Sequence, residues 1–281
     1  MPRLFRGEII GSLELVKPVK FSGDCEVWLA ADSNGYFAIL KSAPANSCEA
    51  EKILLSAKII KNIKSPGLAE ILSFGISEAG IAYVATKYAA RGTLAKFIKN
   101  KRRLTQAQTV KMLRGTLAGL AALHDLGIVH RDVKPDNIFI LQDGSAVLGD
   151  FGAAKFPNIG EPYGAVFGSA PYMSPEQAKD STDVSPACDL FSLGCVAYEC
   201  LTGKRRYAQK NFTQTLKAIL SDRSSAEREL QKASGPPIPA IVSQMMRHCP
   251  SARPASAREV FDKIAMLRDC LLYTSPSPRD S

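Results

Sequence analysis

The chain has 281 residues and a formal net charge of +9; 46% of its residues are hydrophobic and 22% are charged. These proportions are ordinary for a folded globular protein and exclude a mostly disordered chain. The length is sufficient for one large domain or two smaller lobes. The positive charge favours an anionic ligand such as a nucleotide, an acidic partner or a membrane surface.

The cysteines and the apolar runs limit where the protein acts. The seven cysteines are odd in number and form no C-x-x-C pair, which excludes a zinc ribbon and a disulfide scaffold and indicates a reducing compartment. The N-terminus lacks the apolar region of a secretory signal, and no run approaches the roughly 18 apolar residues of a membrane span. We expect a cytoplasmic protein with no membrane span in this chain, and we expect no nucleic-acid partner.

The first 88 residues are predicted to form mostly strands. Segments rich in β-branched and aromatic residues alternate with turns such as "DSNG" and "SEAG". These segments predict strands at 25–31, 36–41, 70–76 and 81–88. A helix is predicted at about 47–62.

The residues after about 93 are predicted to form mainly helices. The clearest helix covers 106–126, with a capping box at Thr105 and Gln108 and a stop at Gly127. Apolar residues and His124 recur at spacings of three and four along one face of it. Runs at 138–141 and 146–149 predict a hairpin. Further helices are predicted at about 186–202, 211–222, 225–233, 239–248 and 256–267.

Two short motifs concentrate polar residues between apolar flanks. "HRDVKPDN" occupies 130–137, and "DFG" follows at 150–152. On these motifs the sequence from about 12 to 268 resembles the eukaryotic-type (Hanks-type) serine/threonine protein kinases. The resemblance implies an α+β, two-lobed protein kinase fold. In it, a small N-terminal lobe with an antiparallel sheet and one main helix covers 1–88, and a larger, mostly helical C-terminal lobe covers 89–268. We expect 269–281 to be a non-native or disordered tail, because the sequence changes character after Arg268.

The resemblance implies a role for each polar residue of these motifs. Asp132 would orient the substrate hydroxyl and accept its proton, and Lys134 would contact the γ-phosphate of ATP. Asn137 and Asp150 would hold Mg²⁺ through oxygen atoms, which this hard cation prefers. Lys41, at the end of "FAILK", would contact the α- and β-phosphates. The implied activity is transfer of the γ-phosphoryl group of ATP to Ser or Thr hydroxyls of protein substrates.

The resemblance also implies a set of nucleotide-binding residues around Lys41. Its partner on the following helix is expected to be Glu51, with Glu49 as the alternative. The hinge of the family falls at "TKYAARGTL", where Thr86 would be the gatekeeper. The set implied for ATP binding is Val19, Lys20, Ser22, Gly23, Cys25, Val27, Ile39, Lys41, Glu51, Thr86, Lys87, Tyr88, Ala89, Asp136, Asn137 and Asp150.

The glycine-rich loop departs from the family pattern G-x-G-x-x-G-x-V. In "KFSGDCEV", residues 20–27, the three expected glycines are replaced by Lys20, Ser22 and Cys25, and only the neighbouring Gly23 remains. Glycines let backbone N–H groups approach phosphates closely. We therefore expect weaker ATP binding than in a member with all three glycines. Cys25 is either a plain small residue or a reactive thiol.

The segment "GSAPYMSPEQ", 168–177, resembles the part of the family that presents the peptide. Ser169 stands where a Thr usually bridges the catalytic Asp and Lys. Glu176 is expected to form a buried ion pair with Arg253, and Asp189 is expected to hydrogen-bond the catalytic loop.

Regulation is predicted from Arg131, which in the family usually pairs with a phosphate on the activation segment. Residues 153–167 contain no Ser or Thr, and Tyr163 is the one phosphorylatable side chain there. Our hypothesis is that activity does not depend on Ser/Thr phosphorylation in this segment, with Glu161 supplying a standing negative charge.

Two alternatives remain open. The eroded glycine loop is compatible with a pseudokinase that binds partners and turns over poorly. A small-molecule kinase is the other alternative, although Arg131, the Lys134–Pro135 pair and the peptide platform are features that such an enzyme does not need.

Overall fold

The structure, a computed structural model, describes residues 4–101, 103–160 and 167–273. The chain divides into two compact units. The first contains the residues up to Lys64 together with Ala69–Ala90 and Asp150–Gly152, and the second contains the remaining segments. The α+β class expected from the sequence is confirmed, because the first unit is a sheet with one helix and the second is mostly helical.

A six-stranded antiparallel sheet forms most of the first unit. Its strands lie in the order β1-β2-β3-β4-β6-β5. The elements of this unit are β1 (Ile9–Ile10), β2 (Leu13–Ser22), β3 (Cys25–Ala31), β4 (Phe37–Pro44), α1 (Cys48–Ile60), β5 (Ile71–Ile76) and β6 (Ile81–Lys87). Both β1 and β2 precede the first strand that the sequence predicts.

The sheet and α1 are held together by apolar burial. Trp28 of β3 and Leu40 of β4 belong to one buried cluster of the sheet, and Ala50 and Ile53 of α1 pack in a second. Full burial of a large apolar side chain stabilises a fold by about 1.5–3 kcal/mol. The side chain of Ser47 caps α1 by accepting the backbone N–H of Ala50. These contacts set the position of α1 against β4.

The second unit contains eight α-helices and one hairpin within the residues that the structure describes. They are α2 (Leu94–Lys101), α3 (Gln106–His124), β7 (Ile138–Ile140), β8 (Ala146–Leu148), α4 (Pro175–Lys179), α5 (Ala187–Thr202), α6 (Phe212–Ser221), α7 (Glu227–Ser234), α8 (Ile238–Met245) and α9 (Ala257–Tyr273). Helices α2 and α4 are additions to the sequence prediction. The last turns of α9 include 269–273, the start of the expected tail; 274–281 lie outside the described residues.

Two helices of the second unit position the polar loops. Helix α3 begins with the predicted capping box, in which Thr105 and Gln108 exchange side-chain-to-backbone hydrogen bonds. Helix α5 is buried from Cys188 to Leu201 and ends at Gly203, which has a left-handed φ of 73°. Among all the helices described, none combines the length and apolarity needed to cross a bilayer.

Candidate active site

Lys41 lies in the interior of the sheet of the first unit. It is on β4, opposite Val27 of β3 and Val84 of β6, so neighbouring strands on both sides hold its backbone. Its Nζ donates a 2.7 Å hydrogen bond to Oδ1 of Asp150 in an ion pair. Burial, the largest effect, lowers the pKa of Lys41, but the charge and hydrogen bond of Asp150 outweigh it and the pKa lies above its ordinary value. Lys41 is therefore a fixed positive charge.

The structure gives Lys41 a different partner from the Glu51 that the sequence predicts. Glu51 is exposed on α1 and forms no ion pair within the described part of the chain. Positions 49 and 51 are about 200° apart around the helix, so both side chains cannot face the sheet. Glu49 faces the sheet, since its Oε2 lies 3.8 Å from Sγ of Cys25 on β3. Its Oε1 accepts a 2.8 Å hydrogen bond from Nζ of Lys52.

The segment "HRDVKPDN" of the second unit is anchored by Asp189 of α5. The fully buried carboxylate accepts 2.8 Å hydrogen bonds from the backbone N–H groups of His130 and Arg131, and Nε2 of His124 lies 2.8 Å from it. Burial, the largest effect, raises the pKa of Asp189, but its hydrogen bond to His124 and the neighbouring positive charges bring it below its ordinary value. The expected contact of Asp189 with this loop is confirmed.

Three polar residues of the loop meet at Asp132. Its Oδ2 accepts hydrogen bonds from Nζ of Lys134 at 2.6 Å and from Nδ2 of Asn137 at 3.1 Å. Nζ of Lys134 also donates to Oγ of Ser169 at 2.7 Å. The other carboxylate oxygen, Oδ1, is buried and has no hydrogen-bond partner among the described residues. One oxygen of Asp132 is therefore held by its neighbours, and the other can accept a hydrogen bond from a ligand.

The donor atoms expected to hold Mg²⁺ fit that ion chemically. Nδ2 of Asn137 donates to the backbone carbonyl of Asp132 at 2.9 Å, whereas no described hydrogen bond uses its Oδ1. Asp150 carries a carboxylate that is 40% exposed. Amide and carboxylate oxygens are ligands that Mg²⁺ accepts, together with phosphate and water oxygens. Each residue thus offers a suitable oxygen within its own unit.

The hairpin of β2 and β3 carries the residues that replace the family glycines. Ser22 pairs with Cys25, and a two-residue turn containing Gly23, with φ of 57°, closes the hairpin. Lys20 and Val19 are exposed on β2. Burial is the main cause that raises the pKa of the Cys25 thiol. This supports the plain-residue interpretation of Cys25, whereas weaker ATP binding stays a prediction.

The other expected nucleotide residues are distributed along two strands and a turn. Thr86 of β6 pairs with Ile39 of β4, and its Oγ1 donates to the Ile39 carbonyl at 3.4 Å. Lys87 pairs with Glu70, both exposed. Three of the remaining residues belong to the first unit: Val27 is half-buried, Tyr88 is exposed and Ala89 is buried. Asp136 belongs to the second unit and is exposed. Their roles stay predictions.

Arg131 is held by main-chain oxygens. Its buried guanidinium donates to the carbonyls of Ala153 at 2.7 Å and Ser181 at 3.1 Å, and it lies 4.0 Å from the ring centroid of Phe167. Glu161 and Tyr163, which the regulatory hypothesis invokes, lie outside the described residues. That hypothesis therefore stays a prediction.

Comparison with known proteins agrees with these motifs. Residues 23–264 match the family model described as protein kinase domain. The chain belongs to the protein kinase domain family.

Two relatives are bacterial and one is from a frog. The chain is 34% identical over 209 residues to the serine/threonine-protein kinase PknA of Mycobacterium tuberculosis, covering 70% of this chain and 48% of the relative. It is 34% identical over 151 residues to PknL of the same organism, covering 53% and 37%. It is 30% identical over 210 residues to the serine/threonine-protein kinase ULK3 of Xenopus laevis, covering 74% and 44%. The chain therefore spans about half the length of these curated relatives, or less.

Within this protein kinase domain, sequence reasoning missed the part played by His124. The periodicity of α3 places His124 on the apolar face of the helix, as if it were another core residue. The structure shows its ring nitrogen 2.8 Å from Asp189, which also holds the backbone of His130 and Arg131. The available signal was a titratable side chain on a buried face just before "HRDVKPDN".

Proposed function

We propose that this chain transfers the γ-phosphoryl group of ATP to Ser or Thr hydroxyls of protein substrates. The observation that carries the proposal is the state of Asp132, whose Oδ2 is held by Lys134 and Asn137 while its Oδ1 is buried without a partner among the described residues. An unsatisfied buried carboxylate oxygen is costly, so this atom is suited to receive a substrate hydroxyl.

The residues of the site have two tasks: they orient the substrate hydroxyl, and they stabilise the negative charge of the phosphates. Asp132 Oδ1 accepts the hydrogen bond of the substrate hydroxyl and takes its proton as the new O–P bond forms and the bond from the γ-phosphorus to the ADP oxygen breaks. Lys134, fixed by Asp132 and Ser169, supplies positive charge for the phosphoryl oxygens. Lys41 supplies the same charge for the α- and β-phosphates. Asn137 and Asp150 would hold Mg²⁺, which neutralises phosphate charge when bound.

The proposal extends to the partners and the place of action. Protein substrates are supported by the names of the relatives, all of them serine/threonine-protein kinases. The six described cysteines are free thiols, which suits a reducing compartment where ATP is abundant. We therefore include a cytoplasmic location for this domain in the proposal.

The test is a radiolabelled ATP assay on a generic basic protein, followed by acid hydrolysis to identify the labelled amino acid. We expect phosphoserine and phosphothreonine, and a loss of about 10²- to 10⁴-fold in kcat for Asp132→Asn with little change in nucleotide affinity. Asp143→Asn, in the exposed turn between β7 and β8, is the matched control and should behave as wild type. A wild-type rate no higher than that of Asp132→Asn would favour the pseudokinase alternative.

The nucleotide half of the proposal has its own test. Asp150→Ala removes a metal ligand, so Mg²⁺-dependent binding of ADP should be lost in calorimetry while Mg²⁺-independent binding remains. Unchanged Mg²⁺-dependent binding would contradict the role proposed for Asp150.

A further inference from the structure

Gln177 is a buried polar residue of the segment 168–177, and the proposed reaction gives it no task. It lies on α4 and is only 2% exposed. Its Nε2 donates to the backbone carbonyl of Arg131 at 2.6 Å and to that of Phe167 at 2.9 Å. The amide nitrogen therefore uses both of its hydrogens, each on a different stretch of main chain.

The two carbonyls belong to the two stretches that carry the acceptors of Lys134. Arg131 directly precedes Asp132, whose Oδ2 accepts a hydrogen bond from the Lys134 ammonium. Phe167 lies two residues before Ser169, whose Oγ accepts a hydrogen bond from the same ammonium. The buried amide and the ammonium thus bridge the same two stretches. The amide therefore limits how far apart the two acceptors of the ammonium can lie.

The backbone of Arg131 needs support of this kind. Its φ is 63°, in the left-handed region that is unfavourable for a residue with a side chain. Oδ1 of Asp189 accepts the N–H of Arg131 at 2.8 Å, and the Gln177 amide donates to its carbonyl. Helix α5 thus holds the N–H of Arg131 and α4 holds its carbonyl, directly before Asp132.

The position of the amide is itself closely defined. Gly168 leaves it space, since a Cβ added there would lie 2.6 Å from both Nε2 of Gln177 and the carbonyl oxygen of Arg131. Helix α4 is held in place because both terminal nitrogens of buried Arg253 donate to Glu176, the neighbour of Gln177. The amide is therefore fixed between the two stretches that it bridges.

Packing alone does not explain an amide at this position. Oε1 of Gln177 is buried and has no hydrogen-bond partner among the described residues, which is unfavourable. A Met side chain of similar shape would fill the space without a buried unsatisfied oxygen, but it would lack the two N–H donors. The donated hydrogen bonds are therefore what distinguishes Gln177 from an apolar residue here.

We propose that Gln177 is a positioning residue for phosphoryl transfer. Its amide sets the separation of Asp132 and Ser169, and thereby the place of the Lys134 ammonium between them. This inference rests on the proposed function. Gln177 acts on the γ-phosphoryl group through Lys134, so its loss should slow the transfer rather than weaken the binding of ATP.

The experiment measures kcat and the KM for ATP on a generic basic protein, and the affinity for ADP with Mg²⁺ by calorimetry. Gln177→Met should lower kcat by about tenfold or more, because two hydrogen bonds are lost and Lys134 is less well placed. The KM for ATP and the affinity for ADP should change by less than about twofold. Gln177→Glu, whose ionised carboxylate keeps the shape but has no donor, should show the same split at pH 8. Gln214→Met, at an exposed glutamine on α6, is the matched control and should behave as wild type.

A double-variant cycle with Ser169→Ala tests the route through Lys134. Ser169→Ala already releases Lys134 from one of the two stretches, so adding Gln177→Met should lower kcat by less than about threefold more. If Gln177 only supported the fold, the two losses in kcat would multiply, and that result would overturn the proposal.

The remaining outcomes separate this inference from the function beneath it. A wild-type kcat in Gln177→Met or Gln177→Glu would overturn the positioning role and leave kinase activity intact. Thermal melts report folding, and failure of both variants to fold would show a structural role and overturn the proposal. A wild-type protein that neither binds ADP with Mg²⁺ nor transfers phosphate would overturn the proposed function as well.

Discussion

Both terminal nitrogens of Arg253 donate to the carboxylate of Glu176, at 2.6 Å to Oε1 and 2.8 Å to Oε2. This two-point contact confirms the ion pair expected from the sequence. The side chain of Arg253 is fully buried and also donates to the carbonyls of Ala187 and His248. Because Glu176 lies within 168–177, the pair ties that segment to the C-terminal part of the second unit.

Removing the acid of this pair should be strongly destabilising. Glu176→Gln leaves a buried guanidinium without its counter-charge, so we expect the free energy of unfolding to fall by about 3–5 kcal/mol in urea titrations. The control is Asp125→Asn, which breaks the exposed contact of Arg258 and should cost no more than about 1 kcal/mol. Equal losses in the two variants would show that burial of the pair does not set its contribution.

The stability of the protein should depend on Asp189 in a defined pH range. Its pKa is lower in the folded protein than its ordinary value of about 3.9, so the ionised form stabilises the fold at neutral pH. That contribution is lost as the pH falls from about 4 through the lower folded value. We therefore expect the difference in unfolding free energy between wild type and Asp189→Asn to be larger at pH 5 than at pH 2 and to shrink as the pH falls below 4. A difference that stays constant to pH 2 would contradict this.

Ser169 should matter for turnover because its hydroxyl is one of the two acceptors that hold Lys134. Ser169→Ala removes the 2.7 Å contact and leaves Lys134 bound to Asp132 alone. We expect kcat to fall by about tenfold or more, with the KM for ATP nearly unchanged, since a hydrogen bond to a charged group is lost. Ser169→Thr keeps the hydroxyl and should retain most of the activity in steady-state assays. An equal loss in the Thr variant would mean that space, rather than the hydroxyl, is what matters.

The thiols should react with iodoacetamide in an order set by their surroundings. The pKa of exposed Cys249 is lowered, mainly by its hydrogen bond with Ser251. The pKa of buried Cys25 is raised, mainly by its burial. At pH 8 we expect mass spectrometry to show Cys249 labelled about tenfold faster than Cys25, because the thiolate is the nucleophile. Ser251→Ala should slow labelling at Cys249 and leave exposed Cys48 unaffected. Fast labelling of Cys25 would restore the reactive-thiol alternative.

The regular parts of the fold could be predicted from the sequence where local patterns and packing agree. Helix α3 is predicted at 106–126 and found at Gln106–His124, because its apolar period and its capping box select the same residues. Strand β2 shows the opposite case. Its residues from Lys17 to Ser22 are all exposed, so no buried face marks them as a strand, and Pro18 lies between two register shifts. Only pairing with β3 makes this segment a strand.

The candidate site, like the fold, could be predicted from the sequence only in part. Motif spacing names Asp132, Lys134 and Asn137, and the structure shows these three in hydrogen-bond contact. Which glutamate of α1 faces the sheet could not be predicted, since Glu49 and Glu51 share one helical turn and only the packing of α1 on the sheet decides which of them faces inward. A motif match identifies residue types, but it does not give the rotation of α1 about its own axis.

A close contact between backbones in the second unit supplies the last prediction. Gly67 packs directly against α3, and a Cβ added at Gly119 would collide with the Gly67 carbonyl oxygen. That carbonyl cannot move aside freely, because it accepts the Leu148 N–H at 2.8 Å, and Ser65 also donates to the carbonyl of Ala118 at 3.1 Å.

Two opposing effects decide the outcome of Gly119→Ala. Alanine is favoured over glycine in a helix by about 1 kcal/mol, whereas overpacking typically costs 1–3 kcal/mol and more when the obstacle is backbone. We therefore expect a net loss of about 1 kcal/mol or more in urea unfolding, against the sign that helix propensity predicts. Gly160→Ala, where an added Cβ meets no atom of the described residues within 4 Å, should cost nothing. A stabilised Gly119→Ala protein would mean that the segment from Ser65 to Leu68 can move away from α3 at little cost.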